Sequence, residues 1–177
     1  CSIGLPFNHR EKIHTALLVG PNMARIYVDM DNVLVDFKSG MQKLGWDEDS
    51  INPDDTPDIF SLMKPMPDAI DGFNKLHGMG HDVYILSTAP WENPSAWSDK
   101  LVWVKDYLGD VAYKKLILSH HKNLNYNEED YLIDDRDKNG AGEWGDRLLR
   151  FGLDRETGEP FEYPDWDSII DYFKTID

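Results

Sequence analysis

The chain has 177 residues, enough for one domain with a small insertion. Its 33 acidic side chains against 18 basic ones leave a formal charge of −15, which disfavours nucleic-acid polymers and anionic membranes as partners. Apolar residues make up 41%, which excludes global disorder, and the single cysteine, Cys1, excludes an internal disulfide and a Cys-based zinc site.

A small phosphorylated ligand stays compatible with that charge, because a Lys and a cation can reverse the sign inside a pocket. Cysteine usage fits a cytoplasmic location. No apolar run approaches the roughly 20 residues a membrane helix needs; "TALLVG" (15–20) is too short. Residues 1–22 lack periodicity and end at the chain-breaking "GPNM", so they read as an extension before a domain spanning 23–177. A short N-terminal helix is the alternative for that stretch.

"RIYVDM" (25–30) is the first strand, and it runs into Asp29 and Asp31, with Asp36 soon after. A helix over about 32–44 follows. The segment 45–67, rich in Asp and Pro, then interrupts the pattern. Trp46, Ile59, Phe60 and Met63 within it predict a small cap or lid, an insertion over about 33–66. A solvated loop is the alternative. The spacing of Ala69, Ile70, Phe73 and Leu76 predicts a helix over 67–79, stopped by Gly80. "DVYILS" (82–87) is the second strand and delivers Ser87 and Thr88 at its end. Pro94 opens a helix over 94–108 whose stripe is Trp97, Leu101, Val104 and Leu108. "KLILS" (115–119), "DYLIDD" (130–135) and "RLLRFG" (147–152) are further strands, and a last helix over 166–176 carries Trp166, Ile169, Ile170 and Phe173 on one face.

Apolar strands alternating with helices define an α/β class: a Rossmann-like, parallel, five-stranded sheet flanked by helices, with a small helical cap inserted after the first strand. Ligands of such sheets bind beyond the carboxyl ends of the strands. Asp29 and Asp31, then Ser87 and Thr88, then Asp134 and Asp135 all fall there. Carboxylates meeting in one crevice either rise in pKa or bind a cation, and oxygen-only ligands suit Mg²⁺. In a D-x-D pair both side chains can address one ligand. One carboxylate can attack phosphorus while the other moves the proton of the leaving alcohol. Thr88 can hold a phosphate oxygen, and a Lys can offset its charge.

"VDMDNVLVDF", "YILSTAP", a following Lys and "YLIDDRDKNG" resemble the four motifs of the haloacid dehalogenase superfamily of phosphotransferases, over about 25–175. Their detail is similar to the 5'(3')-deoxyribonucleotidase family, as is "YPDWDSII" near the end. The resemblance implies a Mg²⁺-dependent phosphomonoesterase acting on deoxyribonucleoside 5'(3')-monophosphates through an aspartyl-phosphate. It implies Asp29 as nucleophile and Mg²⁺ ligand. It implies Asp31 as general acid/base, its backbone carbonyl also on Mg²⁺. Asp135 would be a metal ligand, with Asp134 direct or through water. Thr88, or Ser87 one residue away, would hold the phosphate. Lys100 and Lys122 are both candidates for the basic residue. His120 falls where a member carries a base- or phosphate-binding Arg. Phe37 and Phe60, with Trp46 and Met63 beside them, match the aromatics that read the nucleoside.

The implied partner is a small phosphate monoester, with no nucleic-acid polymer and no membrane; a monomer and a homodimer are both open. Two other readings remain within reach of the residues: a phosphatase for another small ester, and a catalytically silent phospho-ligand binder. A receiver-type signalling module places its adjacent acidic pair at the first strand and its phosphoacceptor on the third. Here the spaced pair is at the first strand, and "LSHHK" after the third has no Asp.

Overall fold

The computed structural model describes residues 23–47 and 50–176. The extension read over 1–22 lies outside the described residues. Five strands, β1 (Arg25–Val28), β4 (Asp82–Ser87), β5 (Leu116–Leu118), β6 (Tyr131–Asp134) and β7 (Leu148–Arg150), form one sheet in the order β5-β4-β1-β6-β7. Every pairing is parallel, and Val28 at the end of β1 lies opposite Ile85 on one side and Ile133 on the other.

Successive strand residues point to opposite faces, and here both faces are covered. Ile26, Val28, Val83, Ile85 and Ile133 join the main core with the helices, while Tyr27, Leu86 and Leu132 pack with Ala141 and Trp144 of the 3₁₀ segment Ala141–Arg147. Two buried faces leave no polar alternation, which is why these strands read as continuous apolar runs.

Among the described residues the α-helices are α1 (Phe37–Lys43), α2 (Ala69–Gly78), α3 (Pro94–Tyr107) and α4 (Trp166–Thr175). Asp165 caps α4 in a reciprocal box with Ser168, and the expected face of Trp166, Ile169, Ile170 and Phe173 is buried. Helices α2 and α4 pack together at Gly72, where a Cβ would collide with the Trp166 indole.

Two helices differ from the sequence expectation. The helix expected from about residue 32 starts at Phe37. Asn32 takes a left-handed φ of 63°, and residues 33–35 fold back to donate to the Met30 carbonyl. That tight turn leads into β2 (Val35–Asp36), which pairs antiparallel with β3 (Lys64–Pro65), and the Asp36 carboxylate then caps α1 by accepting from Ser39 N–H. In α3 the buried positions are Ala96, Lys100, Trp103 and Val104, whereas Leu101 is exposed on an apolar groove beside Trp97. The face is rotated because α3 packs on the excursion between β2 and β3: Trp103 Nε1–H donates to the Met63 carbonyl at 3.1 Å.

That excursion contains α1 and two 3₁₀ turns, Pro53–Asp55 and Ile59–Leu62, and buries Met41, Ile59, Phe60 and Met63. After β7 the chain makes a hairpin whose arms meet at Leu153 and Pro160 before α4 begins. Among the described residues no helix is long and apolar enough to cross a membrane.

Trp166 also donates Nε1–H to the Val33 carbonyl at 2.9 Å, clamping the turn after β1 onto α4. Trp166→Phe keeps much of the packing but strands that buried carbonyl. We expect a loss of about 1–3 kcal/mol in urea unfolding; a change within about 0.5 kcal/mol, the range of an ordinary surface substitution, would show that the clamp does not hold the turn.

Candidate active site

Each strand end delivers a functional side chain to one place. The ladder of β1 extends one residue further, since Asp29 N–H donates to the Ile133 carbonyl at 2.9 Å. This fixes the Asp29 carboxylate beside Asp134, the last residue of β6. Lys122 arrives from the loop after β5. Its backbone N–H donates to the Asn139 carbonyl, and its own carbonyl accepts from Trp144 Nε1 at 3.0 Å. Asn139 and Gly140 both take left-handed φ angles, and a Cβ at Gly140 would strike Asn123. The "DKNG" turn is thus shaped to hold the Lys122 loop.

The Lys122 ammonium lies between two carboxylates, 3.0 Å from Asp29 Oδ1 and 2.7 Å from Asp134 Oδ2, with all three groups buried. Asp134 Oδ1 also accepts from Arg136 N–H. Carboxylate oxygens of Asp29, Asp134 and Asp135 lie within 4.8 Å of one another, a spacing that can hold a metal ion. The Asp31 carboxylate is turned elsewhere. It sits 3.2 Å by each oxygen from the Nζ of Lys100, which also donates to Ser87 Oγ at 2.8 Å and lies over the Phe60 ring at 4.6 Å. Two aspartates two residues apart are therefore served by different lysines.

Their environments diverge accordingly. Burial opposes the charge of Asp29, yet Lys122 and Lys100 together hold its carboxyl below the usual carboxylate range. Burial raises Asp31, and the Asp29 charge adds to that against the pull of Lys100. Burial followed by the Asp29 charge pushes Asp134 well up despite Lys122. Burial and Asp29 raise Asp135 to about 7, with the Arg155 guanidinium pulling the other way. Burial works against the Lys122 cation, but Asp29 and Asp134 more than compensate and raise it. Crowding on this scale is relieved by protons or by a cation, and the all-oxygen donor set fits a hard divalent ion such as Mg²⁺.

A cavity of about 250 Å³ opens over these groups. Asp29, Asp31, Asp134, Asp135, Lys122 and Thr88 line it, with Phe37, Pro53 and Asp54 on the excursion side. Thr88 Oγ1 donates to the Ser119 carbonyl, which leaves its oxygen as an acceptor. Several expected residues are not brought to the cavity wall. Ser87 is buried behind Lys100, and Lys100 itself is 0% exposed. Phe60 is 3% exposed and packs edge-on against Phe37, so only Phe37 of that pair reaches the opening. His120 packs between the Trp91 and Trp97 rings, and Trp46 and Met63 are absent from the wall. Conversely, Asn32, Arg136, Lys138, Asn139 and Arg155 line the cavity without having been singled out. Arg136, Lys138 and Asn139 sit within the quoted "DDRDKNG" motif. Arg155 lies in the charged run "LDRETGEP", which carries no periodic or motif signal.

A carboxylate cluster beyond the carboxyl ends of a parallel sheet, roofed by an insertion after the first strand, is the arrangement of the haloacid dehalogenase superfamily of phosphatases. Solved structures agree on the fold: one titled "Crystal structure of putative beta-phosphoglucomutase from Thermotoga maritima" superposes with a TM-score of 0.55 at 14% identity, over 88% of this chain and 100% of that one. A family model described as "5' nucleotidase, deoxy (Pyrimidine), cytosolic type C protein" matches residues 50–153. A protein of Vibrio phage KVP40 named "Putative 5'(3')-deoxyribonucleotidase" is 52% identical over 150 residues, covering 83% of this chain and 82% of the relative. The human mitochondrial 5'(3')-deoxyribonucleotidase is 24% identical over 167 residues, covering 77% and 72% respectively. The chain belongs to the 5'(3')-deoxyribonucleotidase family of phosphoric monoester hydrolases.

The raised Asp135 has a consequence for stability. A carboxyl with a higher pKa folded than unfolded contributes stability below its unfolded value, and that contribution is lost as pH rises through the folded one. Metal-free protein should therefore melt at a lower temperature at pH 8 than at pH 5, with the loss centred below about pH 7. Asp135→Asn should flatten that dependence, and Mg²⁺ should raise the melting temperature more at pH 8 than at pH 5. Calorimetric scans at both pH values check it; an Asp135→Asn slope equal to wild type would contradict the assignment.

Proposed function

We propose that the protein hydrolyses deoxyribonucleoside 5'(3')-monophosphates through an aspartyl-phosphate on Asp29, with Mg²⁺ as cofactor. The observation that carries the reading is the split of Asp29 and Asp31: two residues apart in the chain, they lie on separate lysines with pKa values pushed in opposite directions. Such a divergence assigns the acid and base roles of a carboxylate pair.

The Asp29 carboxylate oxygen attacks phosphorus, and the bond from phosphorus to the ester oxygen breaks. The leaving oxygen takes the proton of Asp31, a carboxyl whose pKa is raised by burial. Asp31, now a carboxylate, takes a proton from water as the water oxygen attacks phosphorus. The bond to Asp29 then breaks, releasing inorganic phosphate and restoring both groups. Asp29, Asp134 and Asp135 would hold Mg²⁺, which when bound offsets their mutual repulsion and the charge of the phosphoryl group. Lys122 keeps Asp29 ionised and orients it against Asp134. Thr88 lines the cavity just past β4, and its hydroxyl can hold a phosphate oxygen once it turns away from the Ser119 carbonyl. Lys100, fully buried, is a positioning residue that aims Asp31 and Ser87 rather than touching substrate.

Phe37 and Pro53 present an apolar wall to the nucleoside. An apolar wall offers no partner to a 2'-hydroxyl, which favours the deoxy sugar. The names of the family relatives support the same substrate class.

Phosphate release from deoxyribo- and ribonucleoside monophosphates, sugar phosphates and p-nitrophenyl phosphate, with Mg²⁺ and with EDTA, tests the reading. Asp31→Asn should lower kcat by roughly 10²- to 10⁴-fold, the usual worth of a general acid/base. The loss in kcat/KM, which covers only the phosphorylation step, should shrink for p-nitrophenyl phosphate, whose leaving group needs no proton. Asp29→Asn should abolish release from every ester. Equal losses in kcat/KM for all esters in Asp31→Asn would remove it from proton transfer to the leaving group, and release from sugar phosphates only would discard the nucleotide substrate.

A further inference from the structure

We propose that Arg155, on the hairpin after β7, is a substrate-binding residue that grips the non-bridging oxygens of the phosphate. The inference rests on the phosphomonoesterase reading of the cavity and adds to it a contact from outside the four strand-end motifs.

The hairpin is built independently of this side chain. Gly152 N–H donates to the Tyr163 carbonyl, Phe161 N–H to the Gly152 carbonyl and Asp154 N–H to the Glu159 carbonyl. The Asp154 carboxylate accepts from the N–H groups of Glu156 and Thr157 and so caps the tip. At its base the Arg150 guanidinium lies 4.3 Å over the Phe161 ring and donates to the Asp135 carbonyl. Arg155 is thus carried on a framework tied to β6 and β7, and it adds little to that framework itself. Its side chain is 63% exposed, and an exposed ion pair contributes little to stability.

Position gives the guanidinium a different use. It lines the cavity and reaches Asp135 Oδ2 at 3.1 Å. Asp135 belongs to the group of three carboxylates whose oxygens lie within 4.8 Å of one another, so a phosphoryl group approaching Asp29 comes within the span of a side chain that ends on Asp135. The two buried ammonium groups are already engaged: Lys122 with Asp29 and Asp134, Lys100 with Asp31 and Ser87. Among the described residues lining the cavity, the cations left on its open side are Arg136, Lys138 and Arg155. A dianionic ester must enter past five lining aspartates: Asp29, Asp31, Asp54, Asp134 and Asp135. A planar fork of donors fits two phosphate oxygens at once, which an ammonium cannot do. A cation bound by the carboxylates would also compete for Asp135 and free the guanidinium for the incoming anion.

The test uses the full chain at a Mg²⁺ concentration that saturates the wild type, and again at a tenfold higher one. Calorimetry gives the Kd of inorganic phosphate, and steady-state assays give KM and kcat for a deoxyribonucleoside 5'-monophosphate, for wild type, Arg155→Gln and Arg155→Lys. Arg155→Gln should weaken phosphate binding and raise KM together, by roughly 10- to 100-fold, the span of one charge-assisted hydrogen bond. The kcat value should stay close to wild type, as for a contact made in both ground and transition states. Arg155→Lys should recover part of the phosphate affinity. Unchanged phosphate affinity, or a defect that disappears when Mg²⁺ is raised, would overturn the proposal and leave Arg155 as a partner of Asp135 alone. A wild type that binds no phosphate and hydrolyses no ester would overturn the underlying reading instead.

Discussion

The ammonium of Lys122, buried between Asp29 and Asp134, is the contact on which the rest of the site depends. Without it, two carboxylates at neighbouring strand ends would face each other in a low-dielectric crevice, and one would protonate. With it, Asp29 stays anionic, and the remaining strain shifts to Asp31, Asp134 and Asp135, all pushed above the ordinary range. A buried cation that lost one of its partners would cost several kcal/mol, so the arrangement holds only if all three backbones are fixed. The ladder bond from Asp29 to Ile133 fixes one, the position of Asp134 at the end of β6 the second, and the Trp144 indole on the Lys122 carbonyl the third.

Tryptophan recurs in this supporting role. Trp166 holds the turn after β1, Trp103 holds the return of the excursion at Met63, and Trp144 holds the Lys122 loop. In each case a large apolar ring is buried in the core while its N–H donates to a loop carbonyl. The loops carrying the site are irregular, as the chemistry requires, yet each is tied to the regular part of the fold by one indole. Core packing and site geometry are therefore the same set of contacts, and the excursion that roofs the cavity is coupled to α3 through them.

Most of the frame was legible in the sequence because burial of a sheet on both faces leaves an unmistakable apolar run. All five strands of the parallel sheet fall where those runs lie, and Pro94 and Gly80 mark helix ends by local chemistry. Before Phe37 the sequence suits a helix by its apolar stretch, but Asp31–Asn32 turn chemistry competes with it, and pairing of Val35 with Pro65 settles the outcome only in three dimensions. Leu101 was read as core for a related reason: periodicity gives a face, but the excursion decides which face is covered. At the site, motif order along the strands points to the carboxylates and to Lys100 and Lys122 alike. It could not separate the lining from the layer behind it. Lys100, Ser87 and Phe60 are one layer back, and that depth depends on packing no spacing encodes. Arg155 was invisible because a hairpin brings it across 20 residues of chain to Asp135, from a run that looks like solvated surface.

The central claim is that Asp29 becomes covalently phosphorylated while Asp31 handles protons. The most direct measurement is an acid quench during turnover of a deoxyribonucleoside monophosphate, followed by borohydride reduction and peptide sequencing by mass spectrometry. An acyl phosphate reduces to the alcohol, so the account predicts homoserine at position 29 and unmodified aspartate at position 31. Turnover with aspartate intact at 29, or with reduction at 31, 134 or 135, would contradict it.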